Sequence, residues 1–84
     1  MHKLEILKEA LTGRDQEILN YQINIDNFER AIKKIKEEYM DNAEIVQFGQ
    51  HLHGLLESNV IEQTKAKIIR DVIAEQIQEL EEQD

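Results

Sequence analysis

Two histidines have the spacing that comes closest to a metal site. His51 and His53 lie between Gly49 and Gly54 in an 84-residue sequence that contains no cysteine. On a helix, residues two apart point about 200° away from each other, whereas a helical zinc pair needs a spacing of four residues. The sequence therefore predicts no metal site and no cofactor. The alternative role for one of these histidines is a hydrogen bond across an interface, which would make that contact sensitive to pH.

A catalytic site has no support in the sequence. There is a single serine, Ser58, with no histidine or aspartate at the spacing of a known catalytic motif. No glycine-rich phosphate-binding loop occurs, and a thin helical protein offers no deep pocket that could desolvate a carboxylate. We therefore expect a protein that is not an enzyme and has no catalytic residues.

Four of the seven basic residues of the first half form the only basic cluster of the sequence, which acidic residues surround. The bases are Arg30, Lys33, Lys34 and Lys36, and the acids are Glu29, Glu37 and Glu38. Because Glu29 and Lys33 are four residues apart, they would lie on the same face of a helix and can form an ion pair. We interpret the cluster as a solvated, salt-bridged surface, with a nucleic-acid contact as the alternative.

The acidic residues are concentrated in the second half of the chain. The net charge of −8 divides into −1 for residues 1–40 and −7 for residues 41–84. Such a surface repels nucleic acids and anionic membranes, so neither is an expected partner. A candidate partner-binding acidic face consists of Asp71, Glu75, Glu79 and Glu82. This face is either an ordinary solvated helix end or a surface that binds a basic protein.

Helices must position these residues, because the sequence has no proline and only three glycines. From Leu4 to Tyr39, residues recur in alternating steps of three and four, which is the a and d pattern of a coiled coil. These positions are Leu4, Leu7, Leu11, Arg14, Ile18, Tyr21, Ile25, Phe28, Ile32, Ile35 and Tyr39. All of them except Arg14 are apolar or aromatic. The spacing predicts a first helix over about residues 3–40, which at ~54 Å needs a neighbour of similar length.

A turn at about residues 40–42 is marked by capping signals. Asp41 followed by Glu44 fits a capping box, and Met40 with Ile45 fits a hydrophobic staple. The pattern predicts that a second helix runs over about residues 42–82. Because the connection is short, the two helices must be antiparallel neighbours.

The second helix continues the alternation less regularly. Counting on from Ile45 gives Phe48, Leu52, Leu55, Asn59, Glu62, Ala66, Ile69, Ile73, Gln76 and Leu80. The polar residues Asn59 and Glu62 interrupt the apolar series, and they are also spaced as a capping box. One helix with a kink is the favoured interpretation. A break near residues 58–60, followed by a third helix, is the alternative.

The apolar arc of the second helix widens from Ile61 onward. It covers about half of the circumference, which is more than a single partner helix can bury. We therefore predict a homodimer in which two hairpins form a four-helix bundle. The predicted oligomer interface consists of Ile61, Ile68, Ile69, Val72, Ile73 and Ile77.

The antiparallel arrangement also predicts which charges meet. It sets the acids of the C-terminal half alongside Lys3, Lys8 and Arg14. It likewise brings Arg70, with Lys65 and Lys67, near Asp15 and Glu17. Pairs of this kind select the orientation of the helices more than they add stability, since each contributes about 0–1 kcal/mol on a surface.

The sequence as a whole predicts an all-α protein, in which residues 1–84 form one coiled-coil-like helical hairpin. Its general character (short, acidic and helical) resembles that of small accessory proteins of phages and mobile elements. Because it has no apolar stretch of membrane-spanning length and no signal-peptide pattern, we expect a cytoplasmic protein.

The predicted function is that of a protein–protein interaction module, a small adaptor or regulatory protein acting through its helix faces. The alternative is an acidic inhibitor that mimics nucleic acid and blocks a nucleic-acid-binding enzyme. The expected partner is a protein, with a basic nucleic-acid-binding protein as one candidate. The two functions differ in their response to salt, because a charge mimic loses affinity steeply as ionic strength rises.

Overall fold

The computed structural model describes residues 2–83 and consists of two long α-helices joined by a short turn. Helix α1 runs over His2–Glu38 and helix α2 over Ala43–Glu82. The two helices form a hairpin whose Cα atoms extend over 64 × 15 × 14 Å. The predicted all-α helical hairpin is thus confirmed. Neither helix, within the described residues, is apolar enough along its length to cross a membrane.

The turn differs by one residue from the predicted cap. The N-cap of α2 is Asn42, whose side-chain Oδ1 accepts a hydrogen bond from the backbone N–H of Ile45 at 3.2 Å. The backbone N–H of Asn42 in turn donates to the carbonyl of Tyr39 at 3.0 Å, which closes the connection. Asp41 therefore stays in the turn, and the predicted capping box from Asp41 to Glu44 is wrong.

The predicted hydrophobic staple moves with the cap. A staple joins the residue before the N-cap to the fourth residue of the helix. With Asn42 as the cap, these positions are Asp41 and Val46 instead of Met40 and Ile45. Met40 is 61% exposed. The start of α2 is therefore fixed by the side-chain hydrogen bond of Asn42, and the hydrophobic staple that the sequence predicted is not formed.

The a and d positions of α1 face α2 as the spacing predicted. Ile25, Ile32 and Ile35 are buried, and the other predicted positions within α1 are half-buried. The last predicted position, Tyr39, lies in the turn and is exposed. Gly13 does not interrupt the helix. An unbroken 3-4 alternation was therefore sufficient to identify the contact face of this helix.

The contact face of α2 is offset from the predicted one at every second position. The residues that face α1 are Ile45, Gly49, Leu52, Leu56, Asn59, Gln63, Ala66, Arg70, Ile73, Ile77 and Leu80. The alternation therefore begins with a step of four, from Ile45 to Gly49, and not with a step of three to Phe48. Phe48, Leu55 and Ile69 were predicted to face α1 and are instead exposed.

A close approach of the two helices explains this offset. A Cβ atom added to Gly49 would lie only 3.4 Å from Cδ1 of Ile35 on α1. The absence of a side chain lets the backbone of α2 come near α1, whereas a phenyl ring at the same position would separate the helices. Phe48 is consequently turned to the flank of α2.

Helix α2 continues through the polar pair that suggested a break. Asn59 is half-buried, and its side-chain Nδ2 donates to the carbonyl of Leu55 one turn earlier at 2.8 Å. Its Oδ1 accepts a longer hydrogen bond, of 3.4 Å, from Nδ2 of Asn24 on α1. The side chain is thus used between the helices and does not cap a new one, so the three-helix alternative does not occur.

The core of the hairpin is one layer thick and is richest near the turn. Ile32, Ile35 and Leu52 form its central cluster, against which Phe28, Ala31, Ile45 and Leu56 pack. No side chain among residues 2–83 is less than 2% exposed. This follows from the architecture, since each helix has one neighbour and its remaining surface meets solvent.

Candidate protein-interaction surfaces

The acidic face lies on α2 near the open end of the hairpin, remote from the turn. Asp71, Glu75, Glu79 and Glu82 are all exposed. Asp71 forms an ion pair with Arg70 at 3.5 Å. Among residues 2–83, no cationic side chain lies within 4.0 Å of Glu75, Glu79 or Glu82. Asp84, the last acid of this stretch, lies outside the described residues. Three successive carboxylates of this face are therefore presented to solvent without an ion-pair partner among residues 2–83.

The predicted compensation of these acids from α1 is not formed. Arg14 pairs with Glu17 of its own helix at 3.1 Å, and Lys3 and Lys8 have no carboxylate within 4.0 Å in the described part of the chain. Lys65, which was expected near Asp15, pairs with Glu62 of its own helix at 3.0 Å. Short-range pairs within one turn of a helix have replaced most of the expected interhelix pairs.

One predicted interhelix ion pair is present. Nε of Arg70 donates a hydrogen bond to Oδ1 of Asp15 at 2.9 Å. This hydrogen bond, together with the negative charge of Asp15, raises the pKa of Arg70 above its ordinary value. Arg70 stands at a core-facing position of α2 between the buried residues Ala66 and Ile73, so the pair bridges the two helices beside the apolar contact. It fixes the alignment of α2 on α1 in the outer half of the hairpin.

A buried glutamine was not anticipated from the sequence. Gln63 is 6% exposed, and its Nε2 donates to Oε1 of Gln22 at 2.9 Å and to the carbonyl of Ile18 at 3.2 Å. Buried polar side chains that are satisfied in this way fix the register between helices. The only sign of it in the sequence is the spacing: a step of four from Asn59, in place of the predicted step of three to Glu62, puts Gln63 on the contact face.

The largest exposed apolar surface lies on one flank of α2. We call it the outer apolar band, and it consists of Phe48, Leu55, Ile61, Ile68, Ile69 and Val72. Helical periodicity places these residues on three adjoining rows of the helix surface, beside the rows that face α1. By contrast, α1 exposes fewer large apolar residues: Ile6 stands apart, and Leu19 and Ile23 lie one turn from each other. Contiguous apolar surface of this kind marks interaction sites in soluble proteins.

The structure divides the predicted oligomer interface into two groups. Ile61, Ile68, Ile69 and Val72 are exposed and belong to the outer apolar band. Ile73 and Ile77 are 9% and 7% exposed and pack against α1, so they are part of the hairpin core. Phe48 and Leu55 lie on the same flank, although the sequence had assigned them to the core. Whether a second copy covers the band stays a prediction.

The remaining candidates are ordinary helix surface. His51 and His53 are exposed, and residues 2–83 contain no group of three histidine, cysteine or carboxylate side chains arranged to hold a metal ion. In the basic cluster, Lys33 pairs with Glu37 at 4.0 Å and Lys34 with Glu38 at 3.6 Å. These ion pairs match the interpretation of the cluster as a salt-bridged face.

Comparison with known proteins adds no relative to this description. No protein-family model, curated protein or solved structure matches this chain. The acidic face and the outer apolar band are therefore the features from which a function can be inferred.

Proposed function

We propose that this protein acts without catalysis, as a small adaptor or regulatory protein that binds another protein through the outer flank of α2. The observation that carries the proposal is one row of that flank. Ile61, Ile68, Glu75 and Glu82 follow each other at intervals of seven residues, and all four are exposed. Seven residues are two helical turns, so the row passes directly from apolar to acidic surface.

Such a row suits recognition of a partner that has an apolar groove bordered by basic residues. Burial of the isoleucines would supply affinity, at about 25 cal/mol per Å² of apolar surface removed from water. The carboxylates would supply attraction at long range and a preferred orientation, because residues 2–83 place no cationic side chain within 4.0 Å of them. The uneven net charge, −7 in residues 41–84, supports the same assignment.

The test reverses the acidic end of the row. The triple variant Glu75→Lys, Glu79→Lys and Glu82→Lys is compared with Glu5→Lys, Glu9→Lys and Glu29→Lys on α1. Each reversal adds two charges, so both variants change the net charge from −8 to −2. None of these glutamates has a cationic side chain within 4.0 Å among residues 2–83.

Binding is measured against partners captured from the native host by the tagged wild-type protein and identified by mass spectrometry. We expect the α2 variant to lose at least ten-fold in affinity, the α1 control to change much less, and circular dichroism to show both fully helical. Equal losses in the two variants would mean that net charge alone matters, and the acidic face would then have no specific role.

An acidic inhibitor of a nucleic-acid-binding enzyme is the second candidate. It is favoured by the three uncompensated carboxylates, whose spacing of three to four residues repeats negative charge along a helix as phosphates repeat it along a nucleic acid. Raising the salt concentration should weaken an inhibitor of this kind steeply, and an oligonucleotide should compete with it. Binding that resists salt and depends on Ile68 would identify the apolar adaptor instead.

A further inference from the structure

We infer that the outer apolar band is covered by a second copy of this chain, with the two α2 helices packed antiparallel across a two-fold axis near Ile61. This inference goes beyond the proposed function, because it concerns how the hairpin completes its own core. Ile61 and Ile68 belong both to this band and to the row proposed to bind another protein, so a partner that buries them has to displace the second copy. The acidic ends of both α2 helices remain outside the apolar contact in either case.

The exposed area of the isolated hairpin is too large for a stable small monomer. A folded monomer of 9.9 kDa is expected to expose about 5,200 Å². The hairpin exposes 6464 Å², an excess of roughly 1,200 Å² over that expectation. A stable interface buries about 800 Å² on each partner. The excess is therefore sufficient for one such interface. The interface would add buried side chains to a hairpin in which no side chain of residues 2–83 is fully buried.

The spacing of the band is self-complementary, which is the condition for a two-fold interface between identical chains. Phe48 precedes Ile61 by 13 residues, and Val72 follows it by 11. Leu55 precedes Ile61 by six residues, while Ile68 and Ile69 follow it by seven and eight. In an antiparallel pair centred on Ile61, Phe48 of one copy lies within two residues of the level of Val72 of the other, Leu55 lies within two residues of Ile68 and Ile69, and Ile61 meets its own equivalent.

Charge favours the antiparallel direction over the parallel one. Within the band the exposed charges Glu62 and Lys65 neutralise each other in an ion pair of 3.0 Å. A parallel pair would place Glu75, Glu79 and Glu82 of one copy against the same three carboxylates of the other. The antiparallel pair separates these clusters to opposite ends of the assembly and leaves Glu79 level with Glu44, which is a smaller repulsion.

The basic segment of α1 is favourably placed in this arrangement. Ile35 and Gly49 are in contact within the hairpin, so Lys34 is level with the beginning of α2. In the antiparallel pair, residues near Asp71 of the second copy come to the same level. The segment 30–36 contains four bases and no acid. Lys33 and Lys34 already pair with Glu37 and Glu38, so it is the attraction of Arg30 and Lys36 to the acidic half of the second copy that supports the same direction.

The first experiment measures the mass of the particle in solution. Sedimentation equilibrium at micromolar concentration should give twice the 9.9 kDa of the single chain. Ile68→Glu should reduce the mass to that of one chain, because it places a carboxylate in the band. Ile23→Glu is the matched control on α1, since the two isoleucines are 57% and 49% exposed. Circular dichroism should show that both variants remain helical hairpins.

The second experiment fixes the direction. Because the sequence has no cysteine, single cysteines can be introduced without background cross-links. Under oxidation, Ile61→Cys should form a disulfide-linked dimer. Val72→Cys should not, since its two copies would be about 33 Å apart along the axis. Val72→Cys mixed with Phe48→Cys should give the heterodimer. Efficient self-linking of Val72→Cys would show a parallel pair and overturn the inference.

The outcomes separate this inference from the proposed function. A particle of 9.9 kDa at every concentration up to about 1 mM would overturn the dimer, whereas capture of another protein through Glu75, Glu79 and Glu82 would be unaffected. A mass that Ile23→Glu lowers as much as Ile68→Glu would also overturn it, because the contact would then not be specific to α2. A dimer without any captured partner would leave this inference standing and remove the proposed function.

Discussion

The half of the hairpin next to the turn and the half at its open end share one fold but are held together by different interactions. Next to the turn, Ile32, Ile35 and Leu52 form an apolar cluster, and Gly49 lets the helices approach closely. Towards the open end, polar side chains such as Gln63 and Arg70 take core-facing positions. Apolar burial stabilises a structure generally, whereas hydrogen bonds and ion pairs select one alignment among several.

The two halves of the hairpin can therefore contribute differently to stability and to the exposed surface. Full burial of an isoleucine or leucine contributes about 1.5–3 kcal/mol, while an ion pair exposed to water contributes little. We therefore expect the apolar cluster next to the turn to contribute strongly to the stability of the hairpin, with Ile73 and Ile77 continuing the apolar core into the open half. The open end is left with a surplus of negative charge in the last turn of α2, where the helix dipole disfavours carboxylates.

Leu52→Ala should have the largest effect on the stability of the hairpin among the substitutions that compare its two halves. The side chain is 4% exposed, so its truncation leaves a cavity in the turn-proximal cluster and should lower the free energy of unfolding by about 2–4 kcal/mol. Leu80→Ala at the open end should cost only about 1 kcal/mol, because Leu80 is half-buried. Urea denaturation at one protein concentration measures both. Equal losses would show that stability is spread evenly along the hairpin.

Gln63→Glu tests the role of hydrogen bonds beyond the apolar cluster. A carboxylate at this buried position would lie near two oxygen acceptors, the carbonyl of Ile18 and Oε1 of Gln22, and should cost about 1–3 kcal/mol at neutral pH. Burial should raise the pKa of the new carboxyl above its value in the unfolded chain. The variant should therefore recover stability as the pH falls and lose it again as the pH rises through that raised pKa.

Gln50→Glu is the control for this variant, since it adds the same charge at an exposed position of α2. Thermal unfolding of both variants between pH 4 and pH 8 makes the comparison. Stability of Gln63→Glu that is indifferent to pH would mean that solvent reaches this position, and that the glutamine does not set the register of the helices.

The sequence identified α1 better than α2 because the two helices differ in the width of their apolar surface. In α1 a large apolar residue adjoins a contact position only at Ile6 and Leu19, beside Leu7 and Ile18, and the unbroken series of contact positions still gives one count. In α2, Phe48 adjoins Gly49 and Ile69 adjoins Arg70, and counting apolar residues selects the wrong member of each pair. Gly49 faces α1 because it is small enough for the close approach of the helices, and Arg70 faces α1 because it pairs with Asp15. Hydrophobicity alone records neither reason.

The cap and the acidic face show the same limit on a smaller scale. Asp41 and Asn42 are both good N-cap residues, and the choice between them depends on how the turn closes through Tyr39. Exposure of Glu75, Glu79 and Glu82 was predictable from their helical spacing. That Arg14 would pair with Glu17 and leave these acids without a counter-charge was not, since it depends on competition between local and interhelix partners.

Gly13→Ala should have the smallest effect, and it measures how much a glycine costs the helix where no other side chain is near. A Cβ at Gly13 or Gly54 would meet no atom within 4 Å, so alanine should raise the free energy of unfolding by about 1 kcal/mol at either position. Gly49→Ala should gain less, because its Cβ would touch Ile35. Calorimetric midpoints rank the three variants. A gain at Gly49 as large as at Gly13 would mean that the close approach is not tight.

The position of the apolar cluster beside the turn also sets the order in which the hairpin assembles. Ile35 and Gly49 are 14 residues apart in the chain, Gln22 and Gln63 are 41 apart, and Asp15 and Arg70 are 55 apart. Loop-closure entropy grows with this separation, so contacts at the turn form most readily and shorten the loop for those that follow. We therefore expect the hairpin to close from the turn outward, with its acidic end forming last.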